Sequence, residues 1–151
     1  MNLSNVPQLH EQDLERLVRF FEQLGPADLQ RIGELYAPDA SFKDPFNEVR
    51  GVPAIEQIFR HMFESLHEPR FVVTQRMQQG REAFLCWDFV FRFKSFRQQE
   101  LQTIRGATRL CFDAQGRVEL HRDYWDAAEE LYEKLPLVGG LMRWLKRRVN
   151  S

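Results

Sequence analysis

Between Tyr36 and Pro45 the chain reads Tyr-Ala-Pro-Asp-Ala-Ser-Phe-Lys-Asp-Pro, and there a helical rhythm gives way to alternation. Tyr36 completes an apolar stripe with Leu29, Ile32 and Leu35, which predicts a helix from Pro26 to about Pro38. Ala40-Ser41-Phe42-Lys43-Asp44 then alternates until Pro45 closes it, a brief strand. Toward the N-terminus, Leu14, Leu17, Val18, Phe21 and Leu24 recur at three and four, predicting an amphipathic helix from Asp13. Gly25 stops it, and Pro26 opens the next helix where no N–H is needed. Toward the C-terminus, Gly51 and Pro53 open a third helix with Ile55, Ile58, Phe59, Met62, Phe63 and Leu66 on one face.

After Pro69 the residues turn β-branched and aromatic. Arg70–Gln78, Glu82–Phe93, Leu101–Asp113 and Arg117–Trp125 read as strands, parted by Gln79-Gly80, a polar Lys94–Glu100 loop and Asp113–Gly116. Short connections favour antiparallel neighbours. The expected architecture is α+β: a cone-shaped, curved antiparallel sheet wrapped around three N-terminal helices, with a blind pocket between them. With 151 residues one core is expected, a domain over 1–133 followed by a basic amphipathic extension over 134–151.

The composition, 43% hydrophobic and 28% charged, is that of a folding chain. No window holds 18 uninterrupted apolar residues, and the first residues lack the basic and apolar regions of a secretory signal. A cytoplasmic protein is expected, with Cys86 and Cys111 as free, buried thiols. The net charge of −1 is uneven: residues 1–133 hold all 22 acidic side chains and 16 basic ones, a net −6. Such a body argues against nucleic-acid binding. Lys134, Arg143, Lys146, Arg147 and Arg148 border Leu141, Met142, Trp144, Leu145 and Val149. That pattern suits a helix capping the pocket or the dimer, ahead of weak membrane-surface contact through residues 135–149. No CxxC, HExxH, GxGxxG or P-loop occurs, so neither a metal nor a cofactor is expected.

Residues Tyr36–Pro45, with Gly51 and Ala54-Ile55 beyond them, resemble the nuclear transport factor 2-like superfamily, over about residues 12–130. Within it, the Asp-Pro after the first strand is similar to ketosteroid isomerase, which implies a general-base role for Asp44. Gly116-Arg117-Val118-Glu119-Leu120-His121-Arg122-Asp123-Tyr124-Trp125-Asp126 resembles limonene epoxide hydrolase. That resemblance implies catalytic roles for Asp123 and for Asp88 on the middle strand, and it places Asp44 where the hydrolase has a water-positioning Asn. The chain departs from both patterns: the hydrolase's arginine falls on Cys86 and its water-holding tyrosine on Phe42. The isomerase's oxyanion tyrosine falls on Phe20, and its protonated aspartate near Thr108.

Strand alternation bears on the same acids. Cys86 and Asp88 share one face of their strand; Trp87, Phe89 and Phe91 share the other, read as an exposed patch that a homodimer would cover. Glu119, His121, Asp123 and Trp125 share a face of the last strand. The expected site thus gathers Asp44, Asp88, Asp123 and His121 as catalytic groups, with Phe20, Phe42, Phe59, Cys86, Thr108 and Trp125 against the substrate. Carboxyl groups sharing a poorly solvated pocket split their protonation, which suits acid–base chemistry. Each residue also has a purely structural reading. Asp44 suits an Asx turn, Asp88 an ion pair with Arg92 or Arg109, Asp123 one with Arg105 or Arg109, and His121 a satisfied core histidine. The expected function is cofactor-independent acid–base chemistry on a small hydrophobic carbonyl or epoxide compound, isomerisation ahead of epoxide hydrolysis; a non-catalytic binder of lipid-like molecules is the alternative.

Overall fold

The computed structural model describes residues 11–94 and 97–132, and beyond them Trp144, Arg147 and Val149. Helix α1 spans Glu11–Glu22, a 3-10 turn Pro26–Arg31, and α2 Ile32–Leu35. Strands β1 (Tyr36–Lys43) and β2 (Glu48–Arg50) precede α3 (Val52–Ser65). Strands β3 (Leu66–Gln79), β4 (Glu82–Phe93), β5 (Gln102–Phe112) and β6 (Val118–Tyr124) follow, then a one-turn α4 (Ala127–Glu130). The six strands form one curved, open sheet in the order β2-β1-β6-β5-β4-β3, with α1 and α3 packed on it. Leu17, Val18, Ile32, Ile55, Leu110 and Val118 are buried between the layers.

Three strands, β1, β6 and β4, depart from the sequence reading in ways that matter for the site. The sheet is mixed, because β1 runs parallel to β6 while the other pairs are antiparallel. The predicted helix up to Pro38 is a 3-10 turn and one α-turn, and Tyr36 already belongs to β1. Tyr36 lies opposite Val118 and Ser41 opposite Leu120, so β1 bulges between them. Proline, which has no N–H to offer a ladder, sits in that bulge as Pro38.

The second departure concerns β6. Phe112 pairs with Val118 but Cys111 pairs with Leu120, so Glu119 is an extra residue. The bulge swings exposed Glu119 away and leaves both Val118 and His121 buried.

The third inverts β4. Leu85, Trp87, Phe89, Phe91 and Phe93 face the helices and are buried, Trp87 at 7% and Phe91 at 1% exposure. Alternation shows that two faces differ but not which one looks inward, and the aromatic face gains far more from burial. The patch proposed as a homodimer face therefore lies inside the chain's own core. Cys86 and Asp88 project from the opposite, convex face, both half-buried. Cys111 too is half-buried rather than buried, and both thiols are free.

The expectations for residues 134–151 fall largely outside the described residues; Trp144, Arg147 and Val149 are helical and exposed. No described helix is long and apolar enough to cross a membrane.

Candidate functional site

Register across three adjacent strands assembles the polar centre. Asp123 on β6 faces Thr108 on β5, His121 faces Leu110, and Trp87 on β4 faces Gly106. The Trp87 ring lies across Gly106: a Cβ there would stand 2.4 Å from the indole. From that seat Trp87 Nε1 reaches Thr108 Oγ1 at 2.7 Å, and Thr108 Oγ1 reaches Asp123 Oδ1 at 2.6 Å. The His121 Nε2 to Asp123 Oδ1 distance is 2.8 Å, and Tyr36 Oη lies 2.6 Å from His121 Nδ1. The five side chains form one chain of hydrogen bonds: Tyr36, His121, Asp123, Thr108, Trp87.

Donor counting gives each proton a place. Indole N–H can only donate, so Thr108 accepts there and its hydroxyl hydrogen goes to Asp123. Burial, and secondarily the charge of Asp123, raises the Tyr36 pKa well above its ordinary value, so the phenol keeps its proton and donates it to His121 Nδ1. His121 is therefore assigned the neutral tautomer with hydrogen on Nε2, donating to Asp123. Its ring is clasped by Phe42 at 4.6 Å and Phe21 at 6.0 Å. Asp123 Oδ1 thus receives two hydrogen bonds, while Oδ2 receives none from the described residues. A carboxylate pinned on one oxygen presents the other in a fixed direction.

Tyr36 makes a pH prediction. Its proton stabilises the fold fully below the unfolded-state value near 10, and that contribution is lost as pH rises beyond it toward the higher folded-state value. Wild type is expected to lose stability above pH about 10 by more than Tyr36→Phe does, as read from denaturant midpoints against pH. Equal losses would mean that the phenol is not held in this way.

A cavity of about 400 Å³ opens beside this chain. Its walls are mostly apolar, with Phe42, Phe59, Phe89, Phe91, Trp125 and Leu131 among them, and Asp123 faces it. A recess of about 30 Å³, bounded by Phe21, Leu110, Thr108, His121 and Asp123, continues inward and has room for about one water.

The structure brings together only part of the expected set. His121, Asp123, Thr108, Phe42, Phe59 and Trp125 all line the cavity or its recess. Asp44 is at the rim, but its Oδ1 accepts from the backbone N–H groups of Phe46 and Asn47 at 2.8 and 2.7 Å, an Asx turn. Asp88 and Cys86 do not join them, because the inward face of β4 is the aromatic one. Phe20 lines a separate groove with Arg16, Arg31 and Glu34. The arginines offered as ion-pair partners are engaged elsewhere: Arg92 with Glu68 at 3.7 Å, Arg105 with Glu130 at 3.0 Å and Arg109 with Glu82 at 2.6 Å. The tie from Tyr36 to His121 was not expected; the sequence signal for it was Tyr36 on an apolar stripe, a buried phenol that needs an acceptor. Among the described residues, no group of three His, Cys, Asp or Glu side chains is placed to hold a metal ion.

A curved sheet closing over N-terminal helices around such a cavity defines the nuclear transport factor 2-like fold, a small-molecule-binding architecture. The chain belongs to the SnoaL-like domain family, which it matches over residues 17–121. No curated protein sequence matches it. Among solved structures it is similar to a hypothetical protein of Catenulispora acidiphila that has a ketosteroid isomerase-like fold and is in complex with trimethylamine, at 15% identity and TM-score 0.68, covering 80% of this chain and 90% of that one. It is similar to a Jannaschia protein assigned as a SnoaL-like polyketide cyclase, at 16% identity and TM-score 0.67, covering 80% and 90%. An epoxide hydrolase of Mycobacterium tuberculosis, of the limonene epoxide hydrolase-like kind, is similar at 15% identity and TM-score 0.63, covering 93% and 95%. Identities this low establish the fold alone.

Proposed function

We propose that the protein is a cofactor-independent isomerase that binds a small apolar carbonyl compound and moves a proton within it, with Asp123 as the proton carrier. One observation carries this reading: Asp123 borders the cavity with Oδ1 held by two donors, while Oδ2 accepts from none of the described residues. Asp123 Oδ2 takes a proton from the carbon beside the carbonyl; the C–H electron pair moves into the enolate, and the new carboxylic acid returns the proton to another carbon. A single carrier suffices for that exchange. Epoxide opening needs in addition an acid and a held water. Asp44 is committed to its turn, and Asp88 lies on the other face of the sheet. His121 and Thr108 are positioning residues that fix the carboxylate.

The test is hydrogen exchange at the carbons flanking the carbonyl of apolar cyclic ketones in D2O, followed by proton NMR. Wild type is expected to catalyse it, and Asp123→Asn to slow it by about 100-fold or more, the range of a general base. Equal rates in the two proteins would refute the role of Asp123. A ketone that binds but exchanges no faster than in buffer would instead support the non-catalytic binding module.

A further inference from the structure

The rim of the cavity has a chemistry of its own. Asp44 lies there beside Phe46, whose ring meets Trp125 edge-on at 5.5 Å and Tyr132 at 5.9 Å. Phe46 is 51% exposed, although a side chain so apolar would ordinarily be covered. Among the described residues no lysine or arginine lines the cavity, and its acidic groups are the carboxylates of Asp44 at the rim and Asp123 within. His61, also at the rim, is bonded to Gln57 and stands 3.5 Å from Glu64. Of the Asp44 oxygens, Oδ1 accepts three hydrogen bonds and Oδ2 one, from Asn47 Nδ2 at 3.2 Å.

We propose that this rim is a cation-accepting subsite: the molecule the cavity takes carries an ammonium group, seated against Asp44 and the faces of Phe46 and Trp125, with its apolar part inside. Aromatic faces attract cations, a carboxylate adds direct attraction, and low-dielectric walls focus both. The same field repels carboxylates and phosphates. The proposal rests on the reading of the cavity as a small-molecule site, but not on proton transfer by Asp123.

Three para-substituted phenols test it by calorimetry at pH 7 and low salt: 4-hydroxyphenyltrimethylammonium, its uncharged isostere 4-tert-butylphenol, and anionic 4-hydroxybenzoate. The cation is expected to bind about ten-fold tighter than the isostere, and the anion about ten-fold weaker. Asp44→Asn keeps the Asx turn, since an amide oxygen accepts the same N–H groups, and removes only the charge. It should cut the cation's advantage to the few-fold that the aromatic faces supply, while 4-tert-butylphenol binds as before. Equal affinities for cation and isostere, or an advantage that Asp44→Asn leaves undiminished, would overturn the subsite and leave the cavity reading standing. If none of the three binds, both are overturned.

Discussion

Gly106→Ala is expected to destabilise the protein by about 1–3 kcal/mol, the usual cost of forcing atoms into a packed core. At this chain length that lowers the thermal midpoint by roughly 2–12 °C. The cause is steric: the new Cβ would stand 2.4 Å from one Trp87 ring atom and 2.6 Å from another. The indole must lift off β5, and in lifting it withdraws its N–H from Thr108, 2.7 Å away. The variant should therefore shift the tryptophan emission and also weaken exchange of cavity-bound ketones. Trp87→Phe, which removes the bulk over position 106, should make the alanine cheaper, so that the two costs do not add. Unchanged stability and emission in Gly106→Ala would show that the ring does not lie where we place it.

His121→Leu is the second large effect. The leucine fills much of the ring's volume but strands the Tyr36 hydroxyl in a site with no exposure and takes one donor from Asp123. A buried polar group without its partner costs about 1–3 kcal/mol, so stranding the Tyr36 hydroxyl and removing one of the two donors to Asp123 should together cost about 2–5 kcal/mol in denaturant unfolding. Tyr36→Phe removes the orphaned hydroxyl. In the double variant about 1–3 kcal/mol should return, measured as a double-mutant cycle. Strict additivity would mean that Tyr36 and His121 are not coupled.

Much of this was legible in the chain. Apolar spacing in α1 and α3 and the four long β runs announced an α+β layer, because those patterns record which side faces the core. His121, Asp123 and Trp125 were correctly placed on one face, although the bulge at Glu119 breaks the parity that would have included that residue. Asp88 misled for a physical reason: alternation shows that β4 has two unlike faces, but the choice between them belongs to the packing of α1 and α3. Gly106 carried no signal, since only the register of β4 against β5 sets it under Trp87. Tyr36 was hidden by a short helix whose apolar stripe runs straight into a strand.

Proton transfer by Asp123 requires its Oδ2 to meet the contents of the apolar cavity that Asp123 borders. A crystal structure with a cyclic enone soaked in tests it directly. The ring is expected inside the cavity, with a carbon beside the carbonyl about 3–3.5 Å from Asp123 Oδ2, and His121 and Thr108 both on Oδ1. An Oδ2 bonded to a protein group, or side chains filling the cavity with the enone outside, would contradict it.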